Sequence, residues 1–160
     1  MASQQQTQKF VDDVRLICLE DSRYPLESYL FVREGLDHTL KIMKRTGQGA
    51  SGHVSGQELL NGIRDYSLKE FGPMTKSVLN EWGIKNCEDL GHIVFNLVNK
   101  GVLGRTQSDS IEDFKKGFSF DEAFVKPFQP QKPTRRSQSK KISSSKPRTK
   151  SASKSKTGSP

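Results

Sequence analysis

Apolar residues recur at intervals of three and four through most of the first hundred positions, the spacing that places side chains along one face of an α-helix. Phe10, Val14, Ile17 and Cys18 predict a first helix ending at Glu20, with Asp12, Asp13 and Arg15 turned away. After the turn Asp21-Ser22-Arg23-Tyr24, Pro25 suits a first helical position, and Tyr29, Val32, Leu36, Leu40 and Met43 carry a second, longest helix to Arg45. Thr46 to Gly52 has three glycines and no period, which predicts a flexible connection. Ser55 and Glu58 have the spacing of a capping box and open a third helix through Leu59, Leu60, Ile63, Tyr66 and Phe71, stopped by Gly72-Pro73.

Pro73 restarts the helical pattern with Val78, Leu79 and Trp82 inward, until Gly83 ends it and Ile84 closes the apolar contact. Asn86 and Asp89 predict the next cap, and Leu90, Ile93, Val94, Leu97 and Val98 an apolar helix stopped at Gly101. Val102, Leu103, Arg105 and Thr106, followed after a polar stretch by Phe118 and Phe120, read as two short strands joined by a loop. Ser119 and Glu122 offer one more capping box for a final turn ending near Phe124. The expected fold is mainly α: an unstructured N-terminus over 1–8, a helical domain of five or six helices over 9–125, and a disordered tail over 126–160. Helix, tight turn, helix, strand, loop, strand within 73–120 is also the order of a winged helix, with a β-hairpin as the wing.

Charge changes that picture from architecture to partners. All 18 acids lie between Asp12 and Glu122, whereas the last 35 residues hold eleven of the chain's 26 Lys and Arg and no acid. The body therefore carries about −3 and the tail +11, and the pI of 9.6 describes neither. Beyond Pro127 the composition is Ser, Lys, Arg, Pro and Thr, too poor in apolar groups to offset the entropy of ordering. Lys132, Arg135, Arg136, Lys140, Lys141, Lys146, Arg148 and Lys150 are the candidate phosphate contacts, in a pattern resembling the tails of linker histones and some ribosomal proteins. Such a tail binds DNA or RNA without regard to base sequence; the competing reading is a solubilising extension on a protein-interaction module. Phosphorylation of its many serines would tune the charge. The polar N-terminus has neither a secretion signal nor an apolar run of bilayer-spanning length, so no membrane role is expected. Two cysteines in helix-like surroundings, Cys18 and Cys87, suit a reducing, cytoplasmic setting.

The remaining chemistry-bearing residues are sparse. Gly47-Gln48-Gly49-Ala50-Ser51-Gly52 matches Gly-x-Gly-x-x-Gly, but a helical pattern precedes it where a dinucleotide fold needs a buried strand, so no cofactor is expected. Lys41, Lys44 and Arg45 leave a weaker option, a phosphate beside this loop and the helix start at Ser55. His38, His53, His92, Cys18 and Cys87 lack paired ligand spacing, and no metal is expected. An enzyme using His53 or Cys87 near the Gly47–Gly52 loop is the third class of reading, with Asp109, Glu112 and Asp113 as acids that also suit a helix cap. On the candidate DNA-reading helix, Glu88 and Asp89 at the N-terminus oppose phosphate approach, and His92, Asn96, Asn99 and Lys100 complete its polar face. Phe114, Phe118, Phe120 and Phe124 are expected to close the core rather than stack bases.

His53-Val54-Ser55-Gly56-Gln57-Glu58-Leu59-Leu60 is accompanied, in order, by Tyr24-Pro25 and Tyr29-x-Phe31-Val32 before it and by Phe71-Gly72-Pro73, Trp82-Gly83-Ile84 and Ile93-Val94-Phe95-Asn96-Leu97-Val98 after it. In these motifs residues 10–124 resemble a small family of uncharacterised bacterial proteins associated with planctomycete and verrucomicrobial lineages. The resemblance implies no reaction, cofactor or ligand, and the basic tail lies outside it. It directs attention to His53, Ser55, Gln57 and Asn96 as a recognition patch. The leading expectation is a non-enzymatic accessory protein whose body docks on a protein or ribonucleoprotein while the tail holds nucleic acid.

Overall fold

A computed structural model describes residues 2–47, 53–104 and 109–131, and every regular element among them is helical. Six α-helices follow one another: α1 (Ala2–Glu20), α2 (Leu26–Thr46), α3 (Gly56–Phe71), α4 (Thr75–Glu81), α5 (Cys87–Asn99) and α6 (Glu112–Lys115). A 3-10 turn at Gly72–Met74 leads into α4, and a π-turn (Asp121–Val125) with a 3-10 turn (Lys126–Phe128) follows α6. Residues Met1–Gln129 form one compact unit.

The predicted boundaries hold where local chemistry sets them. Ser55 Oγ accepts the Glu58 N–H at 3.2 Å while Glu58 Oε2 accepts the Ser55 N–H at 2.8 Å, closing the box that starts α3. Asn86 and Asp89 close a second box at α5. Pro25 sits one position outside α2, as its N-cap. At Gly83 (φ +75°) the chain turns left-handed, so that the Ile84 N–H reaches the Leu79 carbonyl at 2.9 Å and Ile84 is fully buried. Ser119 and Glu122 make no such cap: the π-turn that follows has no side-chain hydrogen bond at its start.

The expected hairpin does not form among the described residues, and the winged-helix reading falls with it. Gly101 (φ +78°) ends α5, and the N–H groups of Val102 and Leu103 both turn back to the Leu97 carbonyl, at 2.9 and 3.3 Å. Those donors cap a helix and have none left for a ladder. On the other expected strand the Phe118 carbonyl accepts the Cys87 thiol, and the Ser119 carbonyl accepts the Ala123 N–H. Arg105 and Thr106 lie outside the described residues.

The N-terminus also differs from expectation. Residues 2–8, read as unstructured because they are polar, continue α1 with every side chain exposed. Ala and Gln are good helix formers, and once Phe10, Val14 and Ile17 anchor the helix each added residue extends it at little cost.

Helices α2 and α3 share the most extensive contact of the unit. Small residues allow their approach: a Cβ on Gly62 would stand 1.8 Å from Thr39 Oγ1, and one on Gly35 would stand 2.8 Å from Ile63 Cγ1. Val14 and Ile17 of α1, Tyr29 and Val32 of α2 and Ile93 and Leu97 of α5 complete one core. Phe114, Phe120 and Phe124 are buried in it, and Phe118 packs edge to face on Phe124 at 5.7 Å, so this aromatic run is core as expected.

Candidate functional site

A cavity of about 340 Å³ lies between α2, α3 and α5. Its walls are Leu36 and Leu40 of α2, Leu59 of α3, and Val94, Phe95 and Val98 of α5. Leu103, just past α5, and Phe114 of α6 close it from the side, with Phe95 and Phe114 edge to face at 6.1 Å. Leu36, Leu40, Phe95 and Val98 are half-buried, whereas Leu59, Val94 and Phe114 also belong to the buried core. Polar groups line the cavity at His53, Asp109 and Asp113. His53 Nε2 lies 3.3 Å from Asp109 Oδ2. Asp113 Oδ2 accepts the Ser110 N–H at 3.1 Å, fixing that carboxylate at the start of α6.

The expected recognition patch is only partly assembled. His53 lines the cavity, whereas the Ser55 side chain is engaged in its helix cap. Gln57 Nε2 donates to the Asp113 carbonyl at 2.6 Å and so ties the first turn of α3 to the start of α6. Asn96 faces elsewhere: its Nδ2 donates to Asp21 Oδ2 and to the Tyr29 hydroxyl, both at 3.0 Å. It belongs to a polar network that locks the α1–α2 turn onto α5. In that network the Arg23 guanidinium, with Asn96 and the Arg23 N–H, holds the Asp21 carboxyl well below the usual carboxylate range. Of the polar face expected for a DNA-reading helix, Asp89 is spent in the same way, since it accepts the Tyr24 hydroxyl at 2.6 Å and the Lys85 N–H at 2.8 Å.

Cys87 is 4% exposed, and its thiol donates to the Phe118 carbonyl at 3.3 Å. Burial pushes it up to about 11, against a small opposing effect of that hydrogen bond, so it is a protonated thiol at neutral pH and a poor nucleophile. It does not line the cavity with His53. Both cysteines are unpaired thiols. His38 Nε2 pairs with Asp65 at 2.7 Å, and His92 lies 3.8 Å from Glu88 one turn away. Among the described residues no three His, Cys, Asp or Glu side chains converge on a metal position. Ser55 and Glu58 already satisfy two of the amides at the start of α3, and the Glu58 carboxylate held there opposes a phosphate at that helix start. Gly47 is the left-handed cap of α2 (φ +72°); the rest of the glycine run, 48–52, lies outside the described residues. So do Lys132, Arg135, Arg136, Lys140, Lys141, Lys146, Arg148 and Lys150.

The cavity was not visible in the sequence, because its walls come from segments distant along the chain. The one available sign was an excess of apolar residues in α5 flanking the core stripe, at Phe95 and Val98. No protein-family model, no curated protein and no solved structure matches the chain. No helix among the described residues is long and apolar enough to cross a membrane.

Proposed function

We propose that the chain is a non-enzymatic accessory protein of a reducing, cytoplasmic compartment. The tail attaches to DNA or RNA through phosphate contacts, and the helical body docks on a protein or ribonucleoprotein. The observation that carries this reading is the segregation of charge, with fifteen Lys/Arg against 18 acids in residues 1–125 and eleven Lys/Arg against none beyond. Polyanion binding by such a segment is driven by counterion release. The unpaired thiols of Cys18 and Cys87 suit the reducing setting. The inert state of Cys87 argues against the thiol-based enzyme reading.

The experiment is a salt series of nucleic-acid binding by the full chain and by a chain ending at Gln131, which retains the whole compact unit. The full chain should bind DNA and RNA duplexes of unrelated sequence alike. With about six to ten phosphates contacted, its affinity should fall by roughly 10³ to 10⁵ between 50 and 200 mM salt. The shortened chain should lose this binding and keep its thermal melt. Binding that survives the truncation, or a full chain that binds nothing at low salt, overturns the proposal.

A further inference from the structure

We propose that the cavity between α2, α3 and α5 is a binding site for a small amphiphile with an apolar body and one protonated amine. Its lining residues all belong to the compact unit. Its volume, about 340 Å³, lies within the range of small-ligand sites, roughly 300–1,000 Å³. A cavity of about 150 Å³ suffices for a benzene ring, so this one admits a ring with a short chain. The walls offer an apolar body only aliphatic and aromatic groups, from Leu40, Leu59, Val94 and Val98 to the Phe95–Phe114 pair. A neutral, wholly apolar ligand would bury well there and leave the polar lining unused.

The polar lining selects the head group by charge. Of the two lining carboxylates, Asp109 is engaged with His53 at 3.3 Å, and Asp113 is the one with an acceptor to offer. Asp113 is held by the Ser110 N–H through Oδ2 only, and its Oδ1 makes no hydrogen bond to any described residue. That oxygen is an acceptor on a rigid element, since Gln57 grips the same residue's carbonyl. At the helix start nearby, which would otherwise favour an anion, the capping box already places the negative Glu58 carboxylate against the Ser55 N–H. An ammonium therefore meets complementary charge, and a carboxylate head meets repulsion.

The test is an NMR titration of the isotopically labelled full chain with 2-phenylethylamine, 2-phenylethanol and 3-phenylpropanoate at neutral pH. These probes share a body and differ in the head. The amine should produce saturable shifts at the methyl groups of Leu40, Leu59, Val94 and Val98. The alcohol should bind about tenfold more weakly, for want of one charge-assisted hydrogen bond, and the carboxylate more weakly still, because like charge opposes it. Asp113→Asn should cost the amine about tenfold while leaving the alcohol unchanged, a split that general loosening of the fold would not produce. Val98→Phe should fill the cavity and abolish binding of all three; its melting temperature and spectrum report whether it folds, and the Asp113→Asn comparison stands without it. Equal binding of all three probes, shifts away from the cavity walls, or no saturation by about 10 mM overturns the proposal.

Discussion

At Gly62 a single absent methyl group sets how closely α2 and α3 pack. Thr39 is buried, and its hydroxyl is anchored by donation to the Gly35 carbonyl at 2.7 Å, so the oxygen that a Gly62 Cβ would strike cannot swing away without breaking a buried hydrogen bond. Alanine in a helix interior is ordinarily favoured over glycine by about 1 kcal/mol, but overpacking a core costs typically 1–3 kcal/mol. The overlap wins here, because 1.8 Å is far inside contact distance. Gly62→Ala should therefore destabilise the protein by roughly 2 kcal/mol in urea unfolding, with an unchanged m-value. Thr39→Ala in the Gly62→Ala background should recover part of that loss, although Thr39→Ala alone destabilises. Additive losses would mean that the two positions do not meet.

Two capping boxes of the same chemistry differ in what else they hold. Glu58 makes one reciprocal bond to the Ser55 N–H, on an exposed helix start. Asp89 accepts from the N–H groups of Asn86 and Lys85 and, through its other oxygen, from the hydroxyl of Tyr24, a residue only 2% exposed. Glu58→Ala should cost about 1 kcal/mol, an ordinary cap loss. Asp89→Ala should cost roughly 3 kcal/mol, because it also leaves a buried phenol and two backbone donors without their charged acceptor. Chemical unfolding of the two variants orders them, and equal losses would contradict the network. Both boxes were legible as Ser-x-x-Glu and Asn-x-x-Asp, and so were the helices they start, since periodicity and caps are local properties. The hairpin was misread because Val102 and Leu103 look like strand residues, while their N–H groups are claimed by a carbonyl at Leu97. Asn96 looked like a surface amide; only the fold brings Asp21 and Tyr29 to it across most of the chain. For the same reason the cavity was invisible: of its polar lining the sequence singled out His53 as a recognition candidate and the two acids chiefly as helix caps.

Across the whole helical body, proton-binding groups are biased in opposite directions at the two ends of the pH scale, which defines a stability plateau. Burial, reinforced by the acceptor Asp89, raises the Tyr24 hydroxyl above the ordinary tyrosine range; burial and Glu34 do the same for Tyr66, and burial lifts Cys87 to about 11. In the unfolded chain these groups lose their protons near their ordinary values, about 8.5 for cysteine and 10 for tyrosine. Between those values and the raised folded ones the unfolded state holds fewer protons than the native state. Stability must then fall as pH rises above about 9. Asp21 acts in reverse: its depressed folded value means that its contribution is complete above about 4 and is lost as the pH drops further. Urea midpoints measured from pH 3 to 11 should be flat between about 5 and 8 and decline on both sides. Tyr24→Phe should lower the plateau yet flatten the alkaline limb, because phenylalanine has no proton to lose, and an alkaline slope unchanged by that substitution would show that Tyr24 titrates alike in both states.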